Sequence, residues 1–214
     1  MLEARGVSYQ LGGQQILAGI DLAVAAGRSL AVTGPSGSGK TSLLAILAGL
    51  SAPTEGTVLV DGEPLTRFAG PSRGVSLVLQ GYGLVSLLTA AENIEVALRA
   101  AGRPARTAPN VALGALERLG LLTQADQLVD ELSGGQQQRT AVARALALEP
   151  RLLIADEPTA ELDPAARILA LARMFEVAES GGALVLATHD PEVAERCDQV
   201  LDLSQPATSP RSAR

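Results

Sequence analysis

The chain has 214 residues, 47% hydrophobic, 19% charged and only 2% aromatic, with a formal net charge of −6 at pH 7. That composition excludes a disordered chain and predicts one large domain around an aliphatic core, with room for a small insert. The acidic balance and the scarcity of rings argue against a protein held on nucleic acid by its overall charge or by aromatic stacking, so no nucleic-acid partner is expected beyond a local basic patch.

Taken in chain order, LEARGVSYQL, QQILAGIDLAV and GTVLVDG read as strands bounded by glycine turns, an N-terminal region of antiparallel β-structure. Between the second and third, SLAVT feeds a glycine-rich loop and then the apolar run TSLLAILAGL, a strand, loop and helix in succession. VSLVLQ is a further short strand ending at Gln80. From about residue 84 to 148 the period becomes helical, in AAENIEVALRAAG, APNVALGALERLGL, ADQLVDEL and QQQRTAVARALAL, broken by GRPARTAP. Strand character returns in RLLIAD, GALVLATHD and DQVLDL, with the helix PAARILALARMFEVAES between the first two. The alternation predicts an α/β fold with a mostly parallel sheet, interrupted by a helical subdomain over about residues 85–148. Residues 1–204 are expected to form the domain and residues 205–214 a disordered tail.

No stretch reaches the roughly 18–20 apolar residues of a membrane span; the run over residues 43–50 is short and broken by glycine. The opening MLEARGVSYQ lacks the basic and apolar regions of a secretory signal, and the single cysteine, Cys197, can form no internal disulfide. A cytoplasmic location is the expectation, with Cys197 a small buried filler.

Positive charge comes from sixteen arginines and one lysine, Lys40, and the only histidine is His189. A composition bias explains the arginines but not the exception, which points to a task for a slender ammonium. Lys40 closes Gly34-Pro35-Ser36-Gly37-Ser38-Gly39-Lys40-Thr41, a phosphate-binding loop pattern set between a strand and a helix. The glycines let backbone amides curl around phosphate oxygens, Lys40 can reach the β- and γ-phosphates, and the Thr41 hydroxyl can ligate Mg²⁺. The strand RLLIAD delivers Asp156 and Glu157 at its C-terminal end, where open α/β sheets bind ligands. Adjacent carboxylates there point in different directions, so Asp156 can hold Mg²⁺ while Glu157 faces the γ-phosphate as a base or water-orienting group. In LSGGQQQR, Ser133 caps a helix opened by Gly134 and Gly135, followed by Gln136, which makes a second anion-binding helix end.

Together these motifs resemble the ATP-binding cassette (ABC) ATPases, and the resemblance covers essentially residues 2–203. It implies a P-loop NTPase fold with a parallel-sheet core, ATP and Mg²⁺ as ligands, and Ser42 beside Thr41 at the nucleotide. By resemblance, Tyr9 stacks on adenine, Gln80 senses Mg²⁺ and the attacking water, Asp163 in AELD belongs to the loop that crosses to a partner subunit, and His189 touches the γ-phosphate. AELD lacks a hydroxyl used in some relatives, and Ala160 cannot replace it. The family also implies two cassettes facing head to tail, as a homodimer or with a similar subunit, each ATP lying between the loop of one and LSGGQ of the other. The stroke would pass to transmembrane permease subunits from the inner face of the cell membrane. No domain is expected after the last strand, which disfavours the sugar-importer type. The compact length, TAELD and the GYGL and LTAAEN stretches look most like the lipoprotein-releasing and macrolide-exporting group. The alternative is a soluble or division-type ABC ATPase that regulates an assembly or cell-wall process. Tyr82, Leu84 and Leu87, just after Gln80, are expected to form an apolar groove for a membrane-subunit helix.

Overall fold

The structure is a computed structural model that describes residues 1–66, 74–204 and 210–212. The chain runs through β1 (Leu2–Leu11), β2 (Gln14–Val24), β3 (Arg28–Thr33), α1 (Lys40–Leu47), β4 (Glu55–Val60), β5 (Glu63–Pro64) and β6 (Val75–Val78). Three helices follow, α2 (Ala90–Ala100), α3 (Ala108–Glu117) and α4 (Gly134–Ala147), and then β7 (Leu152–Asp156), α5 (Pro164–Glu179), β8 (Ala183–Ala187), α6 (Pro191–Arg196), β9 (Gln199–Asp202) and β10 (Arg211–Ser212). Among the described residues the strands form two sheets, an antiparallel one ordered β2-β1-β4-β5 and a second ordered β10-β9-β3-β8-β7-β6, parallel except for β10.

Strands β7 and β8 are buried along their whole length, as parallel strands covered on both faces must be. Alternation sorts their side chains: Leu152, Ile154, Val185, Leu30 and Val32 join the core shared with α1 and the antiparallel sheet. Leu153, Ala155, Leu184, Leu186 and Ala31 join the core shared with α2, α3, α4 and α5. Helix α1 has no side-chain N-cap, but Leu43, Leu44, Ile46 and Leu47 are all at most 1% exposed. At about 1.5–3 kcal/mol per buried side chain against about 1 kcal/mol for a cap, packing rather than capping holds it in place.

Helix α2 opens with a capping box, Thr89 N donating to Glu92 Oε2 (2.8 Å) and Glu92 N to Thr89 Oγ1 (3.1 Å). The buried Asn93 pins the segment before it, accepting from Val85 N at 2.7 Å and donating to Val85 O and Thr89 O at 3.0 Å each. Helix α4 packs on α2 and α3 and also on α5 and β6, so the inserted helices share their core with the sheet.

Two expectations need correcting, and one helix was not expected. ADQLVDEL is not an α-helix: it forms only a 3₁₀ turn at Val129–Glu131. Its carbonyls serve the start of α2 instead of their own amides, with Ala90 N bonded to Gln127 O and Ala91 N to Ala125 O at 3.0 Å each. Of the expected tail, residues 205–209 and 213–214 lie outside the described residues, but Arg211–Ser212 pairs with Gln199 and Val200 as an edge strand. PEVAER, not singled out in the sequence, forms α6, capped by Asp190 Oδ1 accepting from Glu192 N at 2.9 Å.

Asp198 ties the start of β9 to that of β3, accepting from Ser29 N (2.9 Å), Ser29 Oγ (2.8 Å) and the Arg28 guanidinium (2.7 Å). Burial pushes this carboxyl up, but the Ser29 hydrogen bonds and the Arg28 charge outweigh it and hold it below the ordinary carboxylate range. The stabilisation is therefore present at neutral pH and lost as pH falls through the ordinary carboxylate value and then the folded one. Because the side chain is 34% exposed, the effect is discounted for solvent screening. Asp198→Asn should cost about 1 kcal/mol at neutral pH, and the gap to the parent should narrow as pH falls through the ordinary carboxylate range and below it, as read from urea unfolding midpoints.

Candidate functional site

Parallel strands of one sheet end at one edge, so the segments leaving β3, β6, β7 and β8 gather there. Val32 and Asp156 are both level with Ala187, and Val78 is level with Ala155. The backbone ladder continues past the strands, Glu157 N donating to Ala187 O and Thr188 N to Val32 O, each at 3.1 Å. Against this edge lies a cavity of about 520 Å³. Its lining includes Gly34, Pro35, Ser36, Gly37, Gly39, Lys40, Thr41 and Ser42 from the loop after β3, together with Gln80, Asp156, Glu157 and His189.

The glycine-rich loop is folded back on itself, with Ser38 N donating to Pro35 O at 3.2 Å. Lys40 Nζ crosses the loop and donates to Gly34 O at 2.8 Å and Pro35 O at 3.0 Å, which holds the ammonium beside the cavity. Gly39, which precedes α1, has φ 94°, a conformation that favours glycine, and a Cβ there would press on Leu17 Cδ2 at 2.9 Å. The uncapped first turn of α1 leaves its amides available to an anion in the cavity.

Asp156, at the end of β7, is 3% exposed, and its Oδ2 has no hydrogen-bond partner. An orphaned buried carboxylate oxygen is costly unless something meets it. The Thr41 hydroxyl and the Gln80 amide line the same cavity, and a carboxylate, a hydroxyl and an amide carbonyl are the oxygen donors that suit a hard divalent cation. Among the described residues no group of three or more His, Cys, Asp or Glu side chains is placed to hold a metal, which leaves most of such a cation's shell to a ligand and water.

Glu157 has φ 47°, a left-handed conformation that residues with a side chain seldom adopt. Its carboxylate, 13% exposed, lies 2.9 Å from the Nδ1 of His189, whose ring is 74% exposed. The two chains that leave β7 and β8 thus meet at the cavity mouth.

The other residues singled out in the sequence lie elsewhere. Ser133, Gly134, Gly135 and Gln136 do not line the cavity. Ser133 and Gln136 cap α4 reciprocally, Ser133 N donating to Gln136 Oε1 (2.8 Å) and Gln136 N to Ser133 Oγ (3.3 Å). Asp163 caps α5, accepting from Ala166 N at 2.9 Å. Tyr9 is half-buried in β1 opposite Leu17, packed beside the core under α1, and Ser38 Oγ is buried without a partner. Ile16 and Ala160, apolar residues with no motif of their own, complete the cavity lining.

The loop after Gln80 is divided. Tyr82 and Leu84 pack against the helical core, whereas Leu87 is 84% exposed, so the expected groove of Tyr82, Leu84 and Leu87 is not one open surface. Arg144 of α4 donates to Tyr82 O (2.8 Å) and to Gly83 O, holding this loop where Tyr82 takes φ 60°. Burial lowers the Arg144 pKa, and burial together with the Glu161 charge raises that of Tyr82.

Residues 17–160 match the family described as ABC transporter. The chain belongs to this family. It is 41% identical over 199 residues to the lipoprotein-releasing system ATP-binding protein LolD of Anaeromyxobacter dehalogenans, covering 88% of this chain and 82% of that protein. It is 37% identical over 215 residues to the pyoverdine export ATP-binding/permease protein PvdT of Pseudomonas syringae pv. tomato, covering 95% of this chain. The chain spans 33% of PvdT and 64% of some mycobacterial ABC transporter ATP-binding proteins that it matches. Among solved structures, the dimeric post-hydrolysis state of the ATP-binding cassette MJ0796 bound to ADP and Pi matches with a TM-score of 0.91 at 31% identity, covering 100% of this chain and 99% of that one. The ABC ATPase fold expected from the motifs is the fold adopted.

In this cassette the signature glycines pack against the loop that follows Glu157: a Cβ on Gly135 would lie 2.9 Å from the Glu161 carbonyl oxygen. Gly135→Ala should therefore displace backbone rather than a flexible side chain, at about 1–3 kcal/mol. A fall of several degrees in the thermal unfolding midpoint checks this; an unchanged midpoint would show that the two segments are not locked together.

Proposed function

We propose that the chain binds and hydrolyses ATP as the motor component of an ABC transporter, closing as a dimer on ATP and driving permease subunits in the membrane. The observation that carries this reading is the division of the site. One cavity gathers the phosphate loop, the orphaned Asp156 oxygen and the Glu157–His189 pair, while the capped helix end at Ser133 stands outside it. A chain that presents half of a site at each of two places completes it with a second copy or a similar subunit, which agrees with a dimeric structural relative bound to ADP and Pi.

In this reading the triphosphate lies along the amides of residues 34–41, and Lys40 exchanges its bonds to Gly34 O and Pro35 O for phosphate oxygens. Thr41, Gln80 and Asp156 would hold Mg²⁺, whose positive charge would offset that on the phosphate oxygens when bound. Glu157 Oε2, steadied by His189, orients the attacking water and takes its proton. Tyr9 stacks on the base, and Asp163 lies in the loop facing the partner. Ser133, Gly134, Gly135 and Gln136 of the partner complete the γ-phosphate contacts, so that closing depends on ATP and opening follows hydrolysis.

Among the described residues no helix is long and apolar enough to cross a membrane; in this reading the stroke passes to permease segments outside these residues. The relatives named for lipoprotein release and pyoverdine export support export or envelope work, performed from the cytoplasmic face of the membrane.

Glu157→Gln should bind ATP like the parent yet hydrolyse it at least about 100-fold more slowly, a barrier higher by about 3 kcal/mol, and should run as an ATP-dependent dimer on size-exclusion chromatography. A monomer under those conditions would count against the shared site. Lys40→Ala should lose most ATP affinity, and Lys40→Arg should keep the charge but not the rate; parental hydrolysis by Lys40→Arg would refute the special role of the only lysine.

A further inference from the structure

Gln138 of α4 is 2% exposed, and both ends of its amide are engaged. Nε2 donates to the carbonyl oxygen of Glu157 at 2.8 Å, and Oε1 accepts from Glu161 N at 2.9 Å. The side chain therefore spans the turn between the two residues. A flipped amide would set an oxygen against the Glu157 carbonyl and an NH₂ group against the Glu161 amide, so the two contacts also fix its orientation.

The consequence falls on Glu157. Its φ of 47° is unfavourable for a residue with a side chain and persists only if the peptide groups on both sides are held. Glu157 N is held by Ala187 O at 3.1 Å, and the carbonyl on the other side is held by Gln138 and, more weakly, by Ala160 N at 3.3 Å. Relaxing this residue to an ordinary conformation would swing its carboxylate away from His189 Nδ1. We propose that Gln138 is a positioning residue for ATP hydrolysis: its amide fixes the left-handed backbone of Glu157 and so aims the carboxylate, tying it to the helix that begins at Ser133. This rests on the reading of Glu157 as the group that acts on water. Gln138 does not line the cavity, so its removal should affect the chemical step and spare ATP binding.

The test compares the full chain with Gln138→Met, which keeps length without donor or acceptor, Gln138→Glu, which keeps the acceptor for Glu161 N but sets an oxygen against Glu157 O, and Glu157→Gln. ATP hydrolysis and binding of a fluorescent ATP analogue are measured for each. Both Gln138 variants should lose about tenfold or more in kcat, with KM and analogue affinity within about twofold of the parent, since a misaimed group costs rate far more than binding. A folded Gln138→Met that hydrolyses ATP at the parental kcat, or that loses affinity in step with kcat, overturns the inference while a slow Glu157→Gln leaves the role of Glu157 standing. Parental hydrolysis by Glu157→Gln removes that role, and the inference with it. If neither Gln138 variant folds, hydrogen exchange at the Glu161 amide of the unmodified protein decides: strong protection supports the bridge, and free exchange overturns it.

Discussion

The site depends on the register of three parallel strands. Ala187 of β8 stands level with Val32 on one side and Asp156 on the other, so the chains leaving β3, β7 and β8 start from one height. Two further backbone bonds, from Glu157 N to Ala187 O and from Thr188 N to Val32 O, carry this alignment one residue beyond the sheet. A slip of one residue in β7 would turn Asp156 toward the opposite face and bury Glu157 in its place. The fully buried side chains of β7 and β8, sorted into two cores by alternation, make such a slip prohibitive.

What was legible in the sequence was local. The phosphate loop is a contiguous pattern whose geometry follows from glycines and a helix start, and Asp156 and Glu157 were readable as the polar end of an apolar strand. ADQLVDEL was misleading because its apolar spacing suits a helix, whereas its carbonyls are claimed by Ala90 and Ala91 from far along the chain. Ile16 and Ala160 carried no signal, since an apolar side chain in a cavity wall looks like any core residue. Gln138 was hidden inside a glutamine run: only the fold shows that Gln136 caps its own helix while Gln138 reaches another segment. Asp163 was assigned from family likeness to a loop facing a partner; within one chain its carboxylate is occupied as the cap of α5.

The division of labour between arginine and lysine has a structural counterpart. Arg144 spans the carbonyls of Tyr82 and Gly83, and Arg139 donates to Leu119 O at 2.9 Å and to Gly135 O at 3.4 Å. Both use the broad guanidinium to tie separate backbone segments to α4, a task that suits a rigid, permanently charged fork. Lys40 instead reaches two carbonyls of its own loop with a single mobile ammonium.

Cys197 is 3% exposed, its Sγ lies 3.7 Å from Val193 O, and burial pushes its thiol up to about 12. The reactive thiolate is therefore scarce at neutral pH and shielded from reagents. A chain whose only sulfhydryl is withdrawn in this way provides a silent background: a cysteine introduced on an exposed loop can carry a spin or fluorescent probe without first stripping out the native one. Distances between two labelled copies could then be followed through a nucleotide cycle in a protein whose core chemistry has been left untouched.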